Sequence, residues 1–443
     1  MFSSSISVSL RKEELNANSK RDFKKTTART SSQSSNDNAG FFININEYVD
    51  DIQSEKVTSL SNIDDSQIQV TSFYTRHGHN NLNPSDYSTN TSHNETNQEE
   101  VIKVINLCKT QMGCRKLQNL IYTDKDKGNT YLYPLLKPGM LELINDQFGN
   151  YLYQQFLDIL YPDSLEHLIL FIFNNFNSIA FSPNGTRIIQ KLIENISYGH
   201  SALFLFVYEL LYNHLRNNIA HIAVDENANH IVQKMIICLK SPHTNFIYEE
   251  ILTNFIRIST TKYGCCVIQK CLSHGSQEQK DSIILSILNN TYHLIVDQFG
   301  NYVYQSLIFT NDDRVILEIY KIIAPNFIML CKQKYSSNVI EKLFEINNKV
   351  LVNKIATLIY ENEDNVIELL TDQYGNYIIQ KILDCINNKE ITQIILYTLL
   401  SNVDVIYQKS FGKSLLTKLA RKHVFVGDYL HQQGNSTINV LVN

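Results

Sequence analysis

The sequence predicts an all-α protein: an α-solenoid of eight repeats forming a curved array, preceded by a disordered N-terminal region. Three observations predict it. A short motif recurs at a nearly constant interval, each copy has helical apolar periodicity, and the first hundred residues lack the apolar content needed for a core. The motif is Asp-Gln-Phe-Gly-Asn-Tyr at 146–151 and 297–302, and Asp-Gln-Tyr-Gly-Asn-Tyr at 372–377. Looser copies place five-residue cores at Cys114, Asn150, Thr186, Asn229, Cys265, Asn301, Ser337 and Asn376, with offsets of 36, 36, 43, 36, 36, 36 and 39. A fixed period of this size marks a stacked array rather than separate globular domains.

The N-terminal element comes first. Residues 1–100 carry 9 basic and 14 acidic side chains, and 45 of them are Ser, Thr, Asn or Gln. Such a segment cannot offset its ordering entropy by apolar burial, so 1–95 is assigned as disordered, 96–430 as the array of eight repeats with terminal capping helices, and 431–443 as a tail. The whole formal charge of −5 therefore resides in the first hundred residues, and the remainder is neutral. Within the arm, Arg11, Lys12, Lys20, Arg21, Lys24, Lys25 and Arg29 form a basic cluster that reads as a solvated tail or a contact for RNA or an import receptor. Phe41-Phe42-Ile43 is a short docking motif candidate. Met1–Leu10 has no basic region followed by an apolar run, and no segment approaches the roughly 20 apolar residues of a membrane helix, so a cytoplasmic chain without membrane association is expected. None of the eight cysteines forms a Cys-x-x-Cys pair, which argues against a zinc ribbon or redox motif; buried thiols are expected.

Each repeat is read as two or three helices. Numbering a core and its next three residues 1 to 8, positions 3, 4, 7 and 8 are apolar in nearly every copy, as in Ile188, Ile189, Leu192 and Ile193. At 100° per residue these four form one buried arc, while positions 1, 2, 5 and 6 form a displayed one. A glycine just before most cores supplies the break that starts the helix. Lys116, at a normally apolar position, makes the first core the weakest helix.

The displayed positions carry the chemistry. Positions 1 and 5 hold Cys114 with Gln118, Asn150 with Gln154, Thr186 with Gln190, Asn229 with Gln233, Cys265 with Gln269, Asn301 with Gln305, Ser337 with Glu341 and Asn376 with Gln380. Position 2 holds Arg115, Tyr151, Arg187, His230, Cys266, Tyr302, Asn338 and Tyr377. Polar edge-reading groups beside a flat platform are what single-stranded base recognition needs. Two other readings compete: hydrogen-bonded ladders holding repeats together, and a protein-binding solenoid. A ladder favours identical rungs, whereas positions 1 and 5 vary together; a protein-binding face leaves the recurring flat residues unexplained. Lysines at position 6 (191, 234, 270, 342 and 381) either contact phosphates or line a solvated edge. No phosphate loop, nucleophile elbow or metal-spaced histidine pair is present, so the chain is expected not to be an enzyme and to need no cofactor.

These eight cores resemble those of the Pumilio (PUF) family of RNA-binding proteins, over roughly residues 100–425. The resemblance implies a code in which Asn with Gln reads uracil, Ser with Glu reads guanine, and Cys or Ser with Gln reads adenine, while position 2 stacks. It also implies antiparallel binding, so the repeats spell 5′-UGUAUAUA-3′. Cys266 departs from the arginine platform expected at repeat 5, and Thr186 is an unusual partner for Gln190. Similar fungal members often have such a cysteine pair, and some tolerate an extra flipped base in the 3′ half. The implied function is binding of mRNA 3′ untranslated regions by a monomer, with translational repression or mRNA decay through a recruited deadenylase complex. A nucleolar relative of this family is the alternative within RNA binding.

Overall fold

A computed structural model of the protein describes residues 90–197, 202–310, 312–346, 348–386, 388–423 and 426–428. Among these there is no strand. The basic cluster, the Phe41-Phe42-Ile43 motif and the tail at 431–443 lie outside the described residues, as does nearly all of the segment assigned as disordered. A helix spans Asn90–Cys108, across the expected boundary at residue 96.

The eight cores form helices α1 (Gln111–Thr123), α2 (Gly149–Ile159), α3 (Thr186–Ser197), α4 (Asn229–Cys238), α5 (Gly264–His274), α6 (Gly300–Ile308), α7 (Ser336–Leu343) and α8 (Gly375–Cys385). Most are preceded by a longer outer helix and a short connecting one, such as Gln277–Asn289 and Thr291–Ile295 before α6. Consecutive core helices pack on one another from α1 to α8, which makes the array quasi-one-dimensional. Helix α1 forms despite Lys116, because Leu117 and Ile121 still anchor its buried face.

The expected apolar arc is the core. Ile188, Ile189 and Ile193 are 0% exposed and Leu192 is 1%, and the same positions of α8 are almost as dry. What stops the chain from helixing straight through is a side-chain cap. Asp297 Oδ1 accepts hydrogen bonds from the Phe299 and Gly300 backbone N–H groups at 2.8 and 2.7 Å. Asp146, Asp225 and Asp372 do the same before α2, α4 and α8. Thr110, Ser182 and Thr261 hydroxyls accept from Gly113, Gly185 and Gly264 before α1, α3 and α5. The motif's aspartate is therefore a turn-closing acceptor. Asp297→Ala is expected to cost about 1 kcal/mol, read as a lower urea midpoint with an unchanged slope.

A ninth unit closes the stack. Helices Lys389–Ser401 and Val403–Tyr407 lead into α9 (Gly412–Lys422), which buries Leu415, Leu416, Leu419 and Ala420 at positions 3, 4, 7 and 8. Its core begins at Lys413, where Lys413, Ser414 and Thr417 replace the polar signature, so it caps the array's apolar end without repeating the chemistry.

Candidate nucleic-acid interface

The three signature positions sit at three depths. Position 2 is the outermost: Tyr151, Tyr302 and Tyr377 are 54%, 53% and 57% exposed. Arg115, Arg187, Asn338 and Cys266 are also exposed, while His230 is half-buried. Burial, and secondarily the Arg187 charge, lowers the His230 pKa, which favours a neutral ring for stacking. Position 5 is half-buried in seven repeats, and Gln380 is buried.

Position 1 is not displayed as expected. Cys114, Asn150, Thr186, Asn229, Cys265, Asn301, Ser337 and Asn376 are all buried. The cause is local. Helical Cβ atoms lean toward the N-terminus, so a first-turn side chain points back into its own capping turn. In repeats 2, 4, 6 and 8 the Asn Nδ2 donates to two carbonyls of that turn. For Asn301 these are Asp297 O and Gln298 O, both at 2.9 Å. Two acceptors converging on one end of the amide require that end to be the NH2 group. The Asn Oδ1 then faces position 5, where it accepts from Gln Nε2 at 2.7 Å in repeat 2, 2.6 Å in repeat 4, and 2.9 Å in repeats 6 and 8. These Asn–Gln bonds run within a repeat, so the Asn–Gln pairs are not rungs of a ladder along the stack. In repeats 1 and 3 signature side chains do reach the next repeat, with Gln118 Nε2 donating to Tyr151 O at 3.5 Å, Cys114 Sγ to Phe148 O at 3.1 Å and Thr186 Oγ1 to Asn227 O at 3.3 Å.

The result is an oriented amide. In repeats 2, 4 and 6 the Gln keeps its Oε1 acceptor and one N–H donor for a partner outside the chain, a mixed donor–acceptor edge, whereas Gln380 Nε2 also donates to Asn376 O at 3.3 Å. In repeat 8 the Gln380 Oε1 is buried with no hydrogen-bond partner among the described residues. Repeat 3 has a longer version, with Gln190 Nε2 3.4 Å from Thr186 Oγ1. In repeat 7, Ser337 Oγ donates to Lys334 O at 3.2 Å and leaves the Glu341 carboxylate as an acceptor only. Burial, followed by the charge of Asp146, pushes the Cys114 thiol up to about 11. Burial also raises Cys265, followed by its neighbour Cys266. Both thiols stay protonated at neutral pH and leave space beside Gln118 and Gln269.

Four of the five position-6 lysines serve the stack. Lys191 pairs with Asp158 at 3.2 Å, Lys234 with Glu194 at 3.5 Å and Lys381 with Glu345 at 2.5 Å. In each pair the carboxylate is position 9 of the preceding repeat. Lys342 meets Phe309 there instead, with Nζ 5.9 Å from the ring centroid, and pairs with Glu345 at 2.9 Å. These inter-repeat pairs escape a reading of one helix at a time. Their signal is the recurrence of Asp or Glu at position 9 before a position-6 lysine.

Geometry thus defines an eight-row α-solenoid that presents an oriented polar pair and an outer platform in most rows. Residues 140–172, 175–203, 218–252, 254–288, 290–323, 326–356 and 365–396 match the family described as the Pumilio-family RNA binding repeat. The chain belongs to the Pumilio family. It is 29% identical over 320 residues to Pumilio domain-containing protein C6G9.14 of Schizosaccharomyces pombe, covering 72% of this chain and 46% of that protein. It is 30% identical over 326 residues to Pumilio homolog 12 of Arabidopsis thaliana, covering 72% and 53%. The chain thus spans about half the length of these curated relatives. Among solved structures, the Puf4 RNA binding domain bound to the HO endonuclease RNA 3′ UTR recognition sequence aligns with a TM-score of 0.62 at 31% identity, covering 70% of this chain and 96% of that one. The family's repeat is an RNA-binding unit. The first repeat, carrying Cys114 and Gln118, lies before the first matched segment and is assigned from its core and helix α1.

Proposed function

We propose that the protein is a sequence-specific single-stranded RNA-binding protein that reads one base per repeat. Repeats 8 to 1 recognise 5′-UGUAUAUA-3′ in mRNA 3′ untranslated regions. The observation that carries this reading is the orientation of the position-5 amides. A fixed donor and acceptor at the rim of repeats 2, 4 and 6, with an outer flat group beside each, is complementary to a base edge and its face. The 3′ UTR-bound relative aligned above supports the target class. The consequences proposed for binding are repression of translation or mRNA decay in the cytoplasm, through a recruited deadenylase complex, with the protein acting as a monomer.

The test is affinity for UGUAUAUA against UCUAUAUA. A single wrong base in a site typically costs about 1–3 kcal/mol, so the G-containing strand is expected to bind roughly 10- to 100-fold tighter. Equal affinities would remove base readout by Ser337 and Glu341 and leave the protein-binding solenoid as the better reading.

A further inference from the structure

Among the position-6 lysines, Lys270 stands apart. Its register partner, position 9 of repeat 4, is Ile237, which is 43% exposed and offers no charge. No carboxylate among the described residues lies within 4.0 Å of the Lys270 ammonium, whereas Lys191, Lys234, Lys342 and Lys381 are all held in ion pairs. Lys270 is also one helical turn from Cys266, since positions 2 and 6 are i and i+4. In neighbouring repeats that turn carries the broad side chains of His230 and Tyr302; at Cys266 it carries a thiol. A cleft of about 340 Å³ opens beside Cys266 between α5 and α6, lined by Lys262, Cys266, Gln269, Phe299, Tyr302 and Gln305 among others; the Lys262 ammonium there donates to the Tyr263 hydroxyl at 3.2 Å.

An uncompensated cation thus lies next to the one row that lacks a polar or aromatic platform. We infer that Lys270 binds the RNA backbone, contacting the phosphate beside the fourth base of the site. The strand at repeat 5 is then held by charge where other repeats hold it by stacking. This inference rests on the RNA reading above. An ammonium already satisfied by a carboxylate gains little from a phosphate, so the paired lysines do not share the role. The charge contact is sequence-independent, so it adds affinity at this row without altering the base preference.

The test uses the full chain and the UGUAUAUA strand, with affinity measured across a series of salt concentrations. Each phosphate contact on a single strand contributes roughly 0.7 to the slope of log affinity against log salt. Lys270→Ala is expected to make that slope shallower by about 0.7, with the preference over UCUAUAUA unchanged. Lys270→Arg should keep the slope, and Lys191→Ala should leave it unaltered. A strand with one uncharged methylphosphonate linkage beside the fourth base should erase the difference between wild type and Lys270→Ala. An unchanged slope in Lys270→Ala, while the wild type still prefers UGUAUAUA, overturns the phosphate contact alone. Loss of all preference in the wild type overturns the RNA reading itself.

Discussion

Changing Ser337 to Asn together with Glu341 to Gln is expected to move the preference at the second base of the site from G to U. The swap suits the geometry. Ser337 already has Gln333 O and Lys334 O behind it, through its backbone N–H and its hydroxyl, at 3.0 and 3.2 Å. These correspond to the two turn carbonyls that receive the Asn amide in repeats 2, 4, 6 and 8. An Asn there would turn its Oδ1 outward and orient a Gln at 341 as Asn301 orients Gln305. The carboxylate proposed to accept guanine's N1–H and N2–H would be gone, and a mixed donor–acceptor edge would replace it. With about 1–3 kcal/mol per edge pair, affinity for UGUAUAUA should fall roughly 10- to 100-fold and that for UUUAUAUA should rise by a similar factor. Competition binding with the four possible second bases measures it. An unchanged order of preference would reject the register.

The second large effect is on stability. A Cβ on Gly264 would lie 2.2 Å from Ile258 O and 2.5 Å from Thr261 Oγ1. Neither can yield cheaply. The carbonyl belongs to the short helix Phe255–Ser259, and the hydroxyl caps the Gly264 N–H at 3.2 Å. Gly264→Ala must therefore shift the start of α5, the helix that carries Cys265 and Gln269. Forced overpacking of this kind costs about 1–3 kcal/mol, and backbone on the receiving side favours the upper end. Denaturant unfolding should show the loss. Gly427→Ala is the control, since its nearest atom, Ala420 O, is 3.5 Å away and ordinary contact would result.

The array itself was legible in the sequence because its determinants are local. The apolar arc of each core, the break before it and the interval between copies all follow from helix geometry, and Ile188, Ile189, Leu192 and Ile193 are buried as that geometry requires. Position 1 was misplaced for an equally physical reason. A helical wheel assigns an azimuth but ignores distance from the helix start, and in the first turn a short polar side chain bonds back to its own turn. Asn150 thus shares an azimuthal face with Gln154 yet is only 2% exposed. The closing unit reads from sequence only as a terminal capping helix, because Lys413, Ser414 and Thr417 drop the signature while the apolar pattern around them persists. The partners of the lysines needed knowledge of which residues face each other across repeats, as Lys234 and Glu194 do at a separation of 40 residues.

The interval of 43 residues between repeats 3 and 4 has a consequence of its own. Helix α4 packs on α3 just as α3 packs on α2, although seven more residues separate their cores. The pitch of the rows is set by helix against helix, and the surplus falls in the connecting segment, whose outer helix Ala202–Leu215 has 14 residues against 13 in Pro162–Asn174 and Gln277–Asn289. Chain length and reading frame are therefore uncoupled. Insertions or deletions in such connectors can accumulate over evolution without a frameshift in the nucleotides addressed, whereas a single residue added inside a core would rotate every later contact of that helix by 100°.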